Sequence, residues 1–122
     1  MKVVEIIKIV DAVVLQEEGN WDVNIKYGFA ADLLSDTLFV ISREEEPVLL
    51  ITGVTNPSVV KTAKILDIPV VLIARGKPIE ASTIELAKKE NIILLRTKYI
   101  VFVTCGLLYE AGLKGAPWKI QY

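Results

Sequence analysis

The chain has no histidine, a single cysteine and a net charge of only -1. Without histidine it lacks the commonest general base and the commonest metal ligand, which leaves carboxylates, lysines and tyrosines for any proton transfer. Catalytic residues, a metal site and a cofactor are therefore not expected. The lone thiol, Cys105, excludes an internal disulfide and a thiolate-cluster metal site, and its apolar neighbours suit an inert buried group better than a nucleophile. With 14 basic and 15 acidic residues, and no run of Lys or Arg long enough to follow a phosphate backbone, nucleic-acid binding is disfavoured. Neither Gly-x-x-x-x-Gly-Lys-Ser/Thr nor Gly-x-Gly-x-x-Gly occurs, so a kinase or a dehydrogenase lacks its phosphate loop. The longest apolar segment, Tyr99 to Tyr109, is interrupted by Thr104 and falls short of the roughly 20 residues a membrane helix needs. No span is expected. Met1-Lys2-Val3-Val4-Glu5 does not read as a signal peptide, and a cytoplasmic location is the expectation.

What is present is apolar. Of 122 residues, 52% are hydrophobic and 24% charged, enough for one domain over residues 1–122 with 115–122 as a tail. That apolar excess also predicts self-association.

Three runs, Val48 to Ile51, Val70 to Ala74 and Ile92 to Leu95, are continuously apolar, as suits strands covered on both faces. Each is followed by a helical pattern. Val59, Ala63 and Leu66 recur at helical spacing behind Asn56 as N-cap and Pro57 as first helical residue. Ser82 and Glu85 predict a capping box for a helix Thr83 to Glu90 closed by a left-handed Asn91, and Thr97 is placed to cap a helix Lys98 to Ala111. Earlier in the chain, Lys2 to Ile9 reads as an amphipathic helix and Ala12 to Leu15 as a strand. Val23, Ile25 and Tyr27 alternate with polar residues as in an edge strand ended by Gly28, and Ala30 to Leu38 reads as a helix with Ala31, Leu34 and Leu38 on its apolar stripe. Glu44-Glu45-Glu46 reads as a solvated loop. Strands alternating with helices predict an α/β fold with a mostly parallel sheet, helices on both faces, and the Val48 unit central.

In such sheets ligands bind beyond the carboxyl ends of the strands. Gly53, Thr55 and Asn56, then Arg75 and Lys77, then Arg96 and Thr97 with Lys98 converge there on three loops and suit a phosphate, nucleotide or carboxylate. Each residue has a plainer reading: the cations as solvated loop charges, Thr55, Asn56 and Thr97 as caps, Gly53 as a turn residue. Asp32 and Asp36, four apart, suit surface carboxylates or helix-start caps better than an acid/base pair. Helix Lys98 to Ala111 has hardly any polar face, so Tyr99, Phe102, Val103 and Leu107 are expected to meet a second subunit, and Trp118 and Tyr122 to pack on the body or on a neighbour.

Gly28-Phe29-Ala30-Ala31-Asp32-Leu33-Leu34-Ser35-Asp36, Leu50-Ile51-Thr52-Gly53-Val54-Thr55-Asn56, Thr62-Ala63, Leu86-Ala87-Lys88 and Leu95-Arg96-Thr97 together resemble the DRTGG domain. That family is similar to the N-terminal domain of HPr kinase/phosphorylase, and it also occurs beside CBS domains and within some phosphotransacetylases. No contiguous Asp-Arg-Thr-Gly-Gly is present; Thr52-Gly53 and Arg75-Gly76 are the nearest echoes. The resemblance implies a compact α/β regulatory domain with no established catalytic residues and frequent homodimerisation. Kinase chemistry in the relatives belongs to a separate P-loop domain. The expected function is a non-catalytic regulatory homodimer that binds a small anionic ligand such as a nucleotide. The alternative is a pure protein-interaction or dimerisation module without a ligand.

Overall fold

The computed structural model describes residues 1–117 and Lys119. Helix α1 (Val3–Val10) leads into strand β1 (Val13–Gln16), then β2 (Tyr27–Ala30), α2 (Leu34–Ile41), β3 (Val48–Thr52), α3 (Ser58–Ile65), β4 (Val70–Ile73), α4 (Ala81–Lys89), β5 (Ile93–Arg96), α5 (Val101–Glu110) and the two-residue β6 (Lys114–Gly115). The strands form one sheet in the order β1-β5-β4-β3-β2-β6, with β1 antiparallel to β5 and every other pairing parallel.

The three apolar runs are β3, β4 and β5, and they are buried because both sheet faces are covered. Leu49, Ile51, Leu72, Ile93 and Leu95 pack on one face with Val3, Ile6 and Val10 of α1 and Leu108 of α5. Leu50, Val71, Ile73 and Leu94 pack on the other with Val59, Val60 and Ala63 of α3 and Ala87 of α4. The period-2 alternation of a strand divides one hydrophobic run between two cores. The α/β class with helices on both faces is thus as expected. Asp11, Asp67 and Asn91 follow α1, α3 and α4 with φ of 50°, 55° and 56°, the left-handed turn that short polar side chains tolerate.

Several local expectations are corrected. The central unit is β4, flanked by β3 and β5, and the Val48 strand lies one place over, between β4 and β2. The second strand runs over Tyr27–Ala30, so Gly28 lies inside it. Its neighbours are β3 and β6 rather than solvent. Residues 23–26 are spent elsewhere: Ile25 N–H donates to Met1 O at 2.8 Å and Lys26 N–H to Pro47 O at 2.9 Å, which pins them to the chain start and the foot of β3. Glycine serves at position 28 because a Cβ there would lie 3.1 Å from Leu113 Cδ2.

Helix α2 starts at Leu34, not Ala30, because the Asp32 carboxylate is anchored to the end of β3 and Leu33 stays extended at φ -86°, ψ 100°. Its fully buried residues are Thr37 and Ile41, while Leu34 and Leu38 are half-buried. The Ser82/Glu85 box does not form: α4 begins at Ala81 behind Glu80, and the Thr83 hydroxyl donates to Thr55 O at 2.8 Å. Nor does Thr97 start a helix at Lys98. Arg75 N–H donates to Tyr99 O and Gly76 N–H to Thr97 O, both at 2.8 Å, which holds that stretch open until Val101. The third helix starts at Ser58 behind Pro57, one residue later than expected, and Asn56 Oδ1 accepts from the Ser58 N–H at 2.9 Å. Trp118 and Tyr122 lie outside the described residues. No helix among the described residues is long and apolar enough to cross a membrane.

Candidate functional site

Parallel strands end together, and the carboxyl ends of β3, β4 and β5 bring three loops to one edge. The ladder continues past them: Ala74 N–H donates to Thr52 O and Thr97 N–H to Ile73 O, each at 2.9 Å. Arg75 and Gly76 then take consecutive left-handed conformations, φ 73° and 62°. Such a backbone costs an arginine about 1 kcal/mol, and here the two hydrogen bonds to the β5–α5 loop hold it in place.

The peptide of Gly53 is the centre of this edge. Its N–H donates to Asp32 Oδ1 at 2.7 Å, and its carbonyl accepts from Lys77 Nζ at 3.0 Å. Thr52 Oγ1 donates to the same Asp32 oxygen at 3.2 Å and accepts from Val54 N–H at 3.1 Å. A Cβ on Gly53 would lie 3.1 Å from Arg75 Nη2 and 3.4 Å from Asp32 Oδ1, so the absence of a side chain lets the guanidinium and the carboxylate approach the turn together. Among the described residues the ion pair is Lys64–Glu90, away from this edge. Arg75 and Asp32 are exposed and Lys77 half-buried, so the edge presents two cations and one carboxylate, with the Gly53 amide already satisfied.

Gly53, Arg75 and Lys77 are thus brought together. The others are placed differently. Asn56 caps α3, and the Thr55 carbonyl ties down α4 through Thr83. Thr97 is buried, its hydroxyl donating to Val10 O at 2.6 Å, so it joins β5 to α1. Arg96 ends β5 half-buried, one turn of the pleat beyond Leu94 on the α3/α4 side. Asp32 was missing from the set read as one ligand site. Its place in the Asp-Leu-Leu-Ser element was visible, but no spacing rule connects it to Gly53, 21 residues on. Asp36 stands apart in the first turn of α2.

The network makes Asp32 structural as well as electrostatic. Asp32→Ala should lose about 1.5–3 kcal/mol in urea unfolding, the usual worth of hydrogen bonds to a charged group, whereas Asp36→Ala should stay within about 0.5 kcal/mol. Equal effects would show that the Gly53 anchor contributes nothing.

A second concavity, a cleft of about 470 Å³, lies between α5 and the β2/β6 edge. It is lined by the small residues Gly28, Ala30 and Gly115, the apolar side chains of Ile51, Leu108 and Leu113, and Cys105, Tyr109 and Lys114. The Lys114 ammonium sits 4.3 Å from the centroid of the Tyr109 ring. Burial pushes the Cys105 thiol above its ordinary range, so its thiolate is scarce at neutral pH.

No protein-family model matches the chain, and no curated protein does. Among solved structures, the CBS and DRTGG domains of the regulatory region of Clostridium perfringens pyrophosphatase, complexed with the activator diadenosine tetraphosphate, are similar over 88% of this chain with a TM-score of 0.62 and 16% identity. The chain spans 45% of that structure's length. The likeness shows the fold, a DRTGG-like α/β domain, which the resemblance in the sequence implied.

Proposed function

We propose that the chain is a non-catalytic, cytoplasmic regulatory module that works as a homodimer and binds a small anionic ligand, such as a nucleotide, at the shared strand edge. Arg75 and Lys77 make the contact across the turn that Gly53 shapes, Arg96 flanks it, and Thr55, Asn56 and Thr97 hold the loops that carry it. The observation behind this reading is the Gly53 turn, clamped between Asp32 and Lys77 with the Arg75 guanidinium beside it and in no ion pair among the described residues. A fixed turn beside two cations is pre-organised for an anion, because little ordering remains to oppose binding. The similar regulatory region was solved with a nucleotide activator, which supports the ligand class.

The homodimer is proposed through Tyr99, Phe102, Val103 and Leu107. In support, Phe102 is 83% exposed and Ile100 54%. Nothing lies within 4 Å of a Cβ placed on Gly106, so this face of α5 has room for a partner helix. The same face is what favours the second reading, an interaction module without a ligand.

Thermal unfolding separates the two readings. Diadenosine tetraphosphate, ATP and inorganic tripolyphosphate should each raise the Tm saturably, by the equivalent of about 2.7 kcal/mol at a hundred times Kd. An unchanged Tm with all three would leave the interaction module standing alone.

A further inference from the structure

The cleft under α5 has no part in the anion-binding edge, yet it begins one step away from it. Ala30 and Ile51, which line it, are paired neighbours on β2 and β3. Asp32 and Gly53 lie two residues further along the same two chain segments, about 7 Å away at the rise of an extended chain. The far end of the cleft, where Lys114 pairs with Tyr27 and Gly115 with Gly28, lies four to five residues before Asp32, about 13–17 Å along an extended chain, so a base held there would reach the edge through the full length of a polyphosphate. We infer that this cleft receives a planar nitrogen heterocycle, the base of the nucleotide whose phosphates lie at Arg75 and Lys77. This inference rests on the anionic-ligand reading and extends it to a second subsite.

Three features favour a heterocycle over an acyl chain or a peptide side chain. Gly28, Ala30 and Gly115 contribute only backbone and one methyl group to the lining, which leaves width for a ring beside Leu113. Tyr109 supplies an aromatic wall and Cys105 a polarizable sulfur, both of which favour π-systems. Lys114 holds a donor over that wall, 4.3 Å from the Tyr109 centroid, within reach of ring nitrogens that a hydrocarbon lacks. A volume of about 470 Å³ falls in the range of small-molecule sites.

Cys105, the only cysteine of the chain, reports directly on this cleft. The full chain is alkylated with iodoacetamide at mildly alkaline pH, where the raised thiol pKa still leaves reaction slow enough to follow, and the adduct is counted by intact mass. Saturating adenosine and ATP should each slow labelling at least five-fold, and inorganic tripolyphosphate should leave the rate unchanged. Ala30→Leu, which fills the cleft at an exposed strand end, and Tyr109→Ala, which removes an exposed aromatic lining residue, should both abolish protection by adenosine while keeping the tripolyphosphate shift in Tm. Unchanged labelling in adenosine and ATP overturns the inference, and so does equal protection by octanoate, which would assign an acyl chain. If tripolyphosphate still raises the Tm in that case, the anionic edge stands without the base subsite; if it does not, both fall.

Discussion

Phe102→Asp should abolish self-association and leave the fold intact. Helix α5 turns Val101, Thr104 and Leu108 toward the sheet, and the opposite face carries Phe102, Val103 and Gly106. Phe102 is 83% exposed and Val103 37%. A charge buried without a partner in an apolar interface costs about 3 kcal/mol or more, and a two-fold dimer would bear that cost twice. The dimer dissociation constant should rise by at least about 100-fold, since each 1.4 kcal/mol is a factor of ten. Phe39 provides the control: it is 82% exposed, but it projects from α2 on the other side of the sheet. Light scattering at micromolar concentration should give a dimer for the wild type and for Phe39→Asp, and a monomer for Phe102→Asp. A monomeric wild type would remove the dimer from the account. Loss of the dimer on Phe39→Asp alone would move the interface to α2.

Leu72→Ala should be strongly destabilising. Leu72 lies on β4, the strand with β3 and β5 on either side, and it is fully buried in the core beneath α1 and α5. Removing its isobutyl group forfeits transfer free energy and leaves a cavity that strands paired on both sides relax poorly to fill. The expected loss is about 2–5 kcal/mol, set against a total of about 5–15 kcal/mol for a domain. Leu33→Ala, at a residue 63% exposed, should change stability by less than about 0.5 kcal/mol. Urea titrations of the two variants would decide it, and comparable losses would contradict the burial of Leu72 in the core beneath α1 and α5.

The parts of the fold legible in the sequence were those where one local rule acts without competition. Val48 to Ile51 and Val70 to Ala74 are continuous runs with nothing but strand chemistry in them. Asn56-Pro57 and Asn91 are boundary signals whose side chains or backbone do only that task. What misled were residues with a long-range partner. Ser82 and Glu85 spell a capping box, yet Thr83 is bound to the carbonyl of Thr55 and the helix starts earlier. Thr97 has the chemistry of a cap, and its hydroxyl instead joins β5 to α1 through Val10. Residues 23–27 alternate as a strand should, but Met1 and Pro47 claim their backbone. The candidate site divides in the same way. Arg75 and Lys77 were visible because loops after parallel strands converge by topology, whereas the Asp32 carboxylate that holds Gly53 depends on a contact between β2 and β3 that no spacing encodes.

The central claim is that the edge formed by Gly53, Arg75 and Lys77 binds an anionic ligand. Isothermal titration of ATP and diadenosine tetraphosphate into the wild-type chain and into the Arg75→Ala/Lys77→Ala variant, at low salt, tests it most directly. The account predicts saturable binding to the wild type, at least about 100-fold weaker in the variant, where two charge-assisted contacts of roughly 1.5–3 kcal/mol each are gone. Equal affinity in both chains, or no heat from either ligand with the wild type, would contradict it.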